Sequence, residues 1–119
     1  MSISANGFRR SVRIERREQG QDELGQPVDA WVEVVTTRCN VRMLTGKETL
    51  TSDAEVASAT ASIRIRYRTD IDNGMRAVLL KFVGGQPVDD LIFNILAPLP
   101  NVASREYTDL ACSAFSNNG

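Results

Sequence analysis

The sequence contains no histidine. Most general-base schemes, nucleophilic triads and transition-metal sites depend on that side chain. Carboxylates or lysine can replace it in catalysis, but no such constellation occurs here at a recognisable spacing. Nor is there a phosphate-binding glycine loop or a nucleophile–base pair. Cysteine is nearly absent too, with only Cys39 and Cys112. Two thiols without histidine make no zinc site, and in a reducing cytoplasm they are expected as buried free thiols rather than a bridge. No run approaches the roughly 20 apolar residues of a membrane span, and the polar start of the chain lacks the apolar core of a signal peptide. A large excess of either charge is missing as well: the net charge is −1. A protein that grips nucleic acid over a whole face is usually strongly basic. These absences lead to the expectation of a non-enzymatic protein with no cofactor, no metal and no membrane partner.

What the 119 residues do contain is alternation. They suffice for one domain with one modest core. Segment 12–17 places Val12 and Ile14 on one side and Arg13 and Glu15 on the other, the period of a half-buried strand. Segment 19–27 is polar and holds Gly20, Gly25 and Pro27, which predicts a hairpin turn. Strands follow over 28–34, with Trp31, and 37–44, with Cys39, Val41 and Met43 on one face. The apolar phase slips by one residue around Val34 and Val35, so a bulge or a strand break is expected there. Segment 59–67 alternates most clearly, with Ile63, Ile65 and Tyr67 inward. Segment 76–83 is apolar on both sides. Gly84 to Pro87 turns the chain, Asp89 and Asp90 read as solvated loop residues, 91–97 is a strand stopped by Pro98 and Pro100, and 106–115 is the last strand. Tyr67, Phe82 and Phe93 are expected in the core, and Trp31 in or over it in preference to serving as an interface anchor. Segment 45–58 breaks the pattern as a long polar loop, in which residues 53–57 could form a short helix capped by Ser52. The expected fold is mainly β: a small antiparallel β-barrel of six to seven strands with one long loop at 45–58. One domain would span 8–115, between flexible ends at 1–7 and 116–119.

The order of these features resembles a known family, the phage head–tail joining proteins, also called head-closure, stopper or head–tail adaptor proteins. The resemblance covers about 8–115. It is carried by Arg13-Ile14-Glu15, Asp22 and Gly25, Trp31, the pair Cys39 and Val41, and Gly46-Lys47-Glu48. It continues through Ile65-Arg66-Tyr67-Arg68, Ile71, Met75-Arg76-Ala77-Val78, Phe93-Asn94-Ile95 and Leu110. Two departures stand out: Arg38 occupies a place that is usually aromatic, and the loop after Val83 reads as longer than a tight turn. The resemblance implies a structural virion protein of a tailed bacteriophage or prophage. It would form a homo-oligomeric ring at the head–tail interface, close the DNA channel after packaging and dock the tail. Its implied partners are the portal and adaptor ring, tail proteins, and genomic DNA that passes without sequence-specific binding. The isolated chain could be a monomer in the host cytoplasm before assembly.

The candidate assembly residues fall into three groups. Gly46, Lys47, Glu48, Asp53 and Glu55 lie in the long loop, which either meets a partner or only faces water. Arg9, Arg10 and Arg13, with Arg16 and Arg17, form a basic N-terminal cluster interrupted by Glu15 and Glu18; it reads equally as a docking patch or a solvated strand. Arg64, Arg66 and Arg68 line one side of a strand, where the solvated reading is favoured because Asp70 and Asp72 offset the field. A tail terminator or tail-completion ring protein is the nearest alternative. An OB-like barrel for single-stranded nucleic acid is a third, but it needs exposed aromatics on a basic face, and the basic faces here are expected to carry none.

Overall fold

The computed structural model describes residues 9–44 and 59–114. Six strands follow in chain order: β1 (Arg10–Gln21), β2 (Pro27–Met43), β3 (Ala61–Arg66), β4 (Arg76–Val83), β5 (Gln86–Pro100) and β6 (Tyr107–Ala114). All neighbours are antiparallel. The sheet closes on itself in the order β1-β2-β3-β6-β5-β4 and back to β1, the connectivity of a closed barrel. Closure satisfies the backbone edges that an open sheet leaves unpaired. No helix occurs among the described residues, and the helical turn expected near Asp53 lies outside them.

Alternation along each strand builds the interior. Val12 and Ile14 of β1, Cys39 of β2, Ile63 and Ile65 of β3, Leu79 of β4, Phe93 and Ile95 of β5, and Leu110 and Cys112 of β6 form one buried cluster. Ile71, between β3 and β4, joins the same cluster. Thr108 fastens that connection to β6: its hydroxyl donates to the Arg68 carbonyl at 2.8 Å and accepts from the Arg68 amide at 3.0 Å. The buried hydroxyl thus both donates and accepts.

The expected phase slip is a bulge within one continuous strand. Ile14 pairs with Val35, and Glu15 pairs with Glu33, so Val34 is the extra residue. The two strands read over 28–34 and 37–44 are therefore one 17-residue strand, β2. Further bulges sit in β5, opposite Leu79 and Leu80 of β4 and between Ile95 and Ala97.

Several expectations are corrected. Phe82 is 63% exposed and Val83 59% exposed, because the end of the β4–β5 hairpin runs past the closed part of the sheet. Tyr67, expected in the core, is only half-buried beyond the end of β3, and Trp31 is half-buried too; both lie outside the core cluster. The loop after Val83 is a tight turn: Gly84 and Gly85 both have positive φ, 60° and 80°, and Val83 pairs with Gln86. Two positive angles in succession suit the twist of a two-residue hairpin. Asp89 and Asp90 belong to β5, not to a loop. β5 runs through Pro98 and ends only at Pro100; the two prolines pair with Leu110 and Thr108 of β6. Since β4 begins opposite Asn94, the other side of this stretch carries no ladder, and there a proline's missing N–H costs nothing.

Candidate assembly surface

The outward side chains of β1, β4 and β5 form a connected ionic surface. Glu15 is at its centre, buried although it faces outward. It stands directly opposite Arg76 in the β1–β4 ladder. Arg76 Nε donates to Glu15 Oε1 at 2.6 Å, and Arg13 Nε donates to Glu15 Oε2 at 2.7 Å. Arg13 also reaches Asp89 of β5 at 3.0 Å. Burial opposes the Arg13 charge more than any other single influence, but the bonds and charges of Glu15 and Asp89 together outweigh it and raise its pKa above the ordinary value. Arg10 donates to Asp90 at 2.7 Å and to the Leu80 carbonyl at 3.3 Å. The two aspartates that read as loop residues thus anchor β5 to β1 across β4.

Trp31 extends this surface. The Arg17 guanidinium lies 5.0 Å from its ring centroid and the Arg76 guanidinium 4.3 Å. Such contacts draw a cation to the electron-rich ring face. Arg17, Trp31, Arg76, Asp90, Leu91, Ile92 and Ala114 line an open groove of about 520 Å³.

A second surface covers β2, β3 and β6. Arg64 and Asp109 are opposite each other in the β3–β6 ladder and form a bidentate pair at 2.7 and 2.9 Å. That hydrogen bonding, ahead of the opposing effect of burial, raises the Arg64 pKa. The same guanidinium lies 3.7 Å from the Tyr107 ring centroid. Asn40, Arg42, Ser62, Arg64 and Asp109 line a shallow groove of about 260 Å³. Arg66, Tyr67, Arg105 and Glu106 line a depression on the same part of the molecule. Arg68 lies just beyond β3 and forms a bidentate pair with Asp70 at 2.6 and 2.9 Å. The Arg68 hydrogen bond holds the Asp70 carboxyl below its usual range.

The sequence candidates therefore separate. Arg10 and Arg13 join the first surface, with Arg9 at the edge of the described residues. Arg64, Arg66 and Arg68 lie on or beside the second, on a strand that is not a neighbour of β1 in the closed sheet. Gly46, Lys47, Glu48, Asp53 and Glu55 lie outside the described residues. Sequence reasoning missed Glu15, Arg76, Asp89, Asp90 and Asp109 as surface builders, and favoured the core over the surface for Trp31. Only the strict alternation that turns Glu15 and Asp109 outward hinted at them. The basic faces also do carry aromatics, contrary to expectation: Trp31 and Tyr107. Guanidinium groups already lie against both rings, where a nucleobase would compete with them for a stacking face.

These features match a known group of proteins. The model of the phage head completion protein family matches residues 3–114. Head completion protein gp7 of Enterobacteria phage HK97 is 29% identical over 105 residues, which cover 88% of this chain and 90% of that protein. The solution structure of protein SF1141 from Shigella flexneri 2a superposes with a TM-score of 0.73 at 27% identity, covering 98% of this chain and 100% of the other. With family, sequence and fold agreeing over almost the whole length, the chain belongs to the phage head completion protein family and is a structural protein of the phage head–tail joint.

Proposed function

We propose that the chain acts as a ring of identical copies at the head–tail joint, closing the DNA channel after packaging and presenting a docking surface to the tail. The family match over residues 3–114 carries this reading. The closed sheet supports it, as a rigid body whose outward faces hold ordered charged side chains fit to set register against neighbours. Its partners are the portal and adaptor ring above and tail proteins below. The chain waits in the host cytoplasm and has no turnover of its own. Residues 8–115 act as one domain. The segment 45–58, with Gly46, Lys47, Glu48, Asp53 and Glu55, contributes to the joint, as do the arginines of both surfaces. The guanidinium groups against Trp31 and Tyr107 weigh against a single-stranded nucleic-acid barrel.

The test is co-sedimentation of the purified chain with portal–adaptor complexes and with tails of its own phage. Binding to the adaptor that is lost on deletion of 45–58 is the expected result. Binding to tails alone would replace this reading with a tail terminator. Binding to neither would overturn it.

A further inference from the structure

The β1–β2 hairpin outruns the closed sheet. β1 pairs with β4 only as far as Glu15, and β2 pairs with β3 only from Cys39 onward. Residues 16–21 and 27–32 therefore pair with each other alone, as a two-stranded ribbon that ends in the turn at 22–26. Both faces of its outer part are exposed. Such a ribbon has little stability of its own. Its acids gather toward the tip: Glu18, Asp22, Glu23 and Asp29 outnumber Arg16 and Arg17 at its base, where Arg16 pairs with Glu18 at 3.3 Å.

The opposite charge is concentrated elsewhere. Arg42 of β2, Arg64 and Arg66 of β3, and Arg105 before β6 line adjoining depressions where β2 joins β3 and β3 joins β6, beside the acids Glu106 and Asp109. The ribbon turn and Arg42 lie at opposite ends of the same long strand, up to about 50 Å apart at strand rise. The molecule is 53 Å in its longest dimension. A ribbon built into β2 cannot bend back onto the far end of that strand, so its complement lies on another molecule.

We propose that the acidic ribbon of one copy docks on the basic β2–β3–β6 face of the next. Unlike patches on one chain make a head-to-tail contact, which propagates and closes into a ring when the rotation per step divides a full turn. This deepens the ring reading above and rests on it. A basic neighbouring protein on the ribbon, or DNA on the arginine face, would be a different outcome.

A spin label on Glu23→Cys, mixed with unlabelled-site, nitrogen-15-labelled chain at millimolar concentration, tests the contact directly. Relaxation enhancement is expected at the amides of Arg42, Arg64 and Arg66, weakened at high salt. No enhancement, or enhancement centred elsewhere, would overturn the proposal. A charge swap provides the second reading. Glu23→Lys with Asp29→Lys, and separately Arg42→Glu with Arg66→Glu, should each lower ring incorporation on portal–adaptor complexes on the order of tenfold. Mixing the two variants should restore it. Incorporation by wild type that neither variant alters refutes the ribbon contact alone. A wild type that never joins the complexes refutes the ring reading instead. Preserved circular dichroism separates either result from misfolding.

Discussion

Glu15 shows how one carboxylate can decide a surface. Alternation turns it outward, yet two arginines from two strands close over it, and its side chain is only 9% exposed. Breaking a buried pair from one side leaves the partner charge uncompensated, which costs far more than the pair itself contributes. Arg13 retains Asp89 and Arg76 retains the Trp31 ring when Glu15 is lost, but both guanidinium groups lose their shortest hydrogen bond. Glu15→Ala is therefore expected to lower stability by about 3 kcal/mol, read as a shift of the denaturant midpoint without a change in slope. Glu15→Gln, which keeps the volume and one acceptor, should lose less. An unchanged midpoint in the alanine variant would mean that the ionic surface is solvated and does not hold β1 to β4.

At the scale of elements, the two hairpins end in different chemistry. The β1–β2 turn is held by Asp22, whose Oδ1 accepts from the amides of Leu24 at 2.9 Å and Gln26 at 2.8 Å. The β4–β5 turn has no such side chain and relies on Gly84 and Gly85, both in the left-handed region. A Cβ at either glycine would meet open space, so the cost of substitution is purely conformational. Gly84→Ala with Gly85→Ala should destabilise the chain by about 2 kcal/mol, roughly 1 kcal/mol at each left-handed position. Hydrogen exchange should show the loss in 81–88 first, because that end of the hairpin lies beyond the closed sheet. Equal loss in β3 and β6 would show that the hairpin tip and the closed sheet unfold as one unit.

At the scale of the whole molecule, closure creates the environment of the two cysteines. Cys39 and Cys112 are fully buried, and burial pushes each thiol pKa from 9.0 up to about 12. The charge of Cys39 adds to the effect at Cys112. The unfolded chain therefore loses these protons first as the pH rises. Their contribution is intact below pH 9 and declines through the window from 9 to about 12, by about 1.4 kcal/mol per pH unit and thiol at most. Unfolding free energies measured across that range should fall more steeply in wild type than in a Cys39→Ala, Cys112→Ala variant. Parallel profiles would show that the thiols reach solvent in the folded chain.

The sequence by itself determined the class and most of the core. Period-two alternation is a local property, so Val12, Ile14, Ile63, Ile65, Phe93 and Ile95 were legible as inward residues before any partner strand was known. The slip at Val34 was legible for the same reason. Register across the ring was not, because pairing β1 with β4 and β3 with β6 joins residues far apart in the chain. Those pairings alone brought Asp89 and Asp90 to Arg13 and Arg10, Arg64 to Asp109, and Arg76 over Trp31. Exposure at the hairpin ends escaped the sequence too: Phe82 continues an apolar run, and only the length of β4 relative to its neighbours left it outside. A strand's own residues say which way they face. How far its neighbours extend decides what they face, and that is settled by the closed sheet.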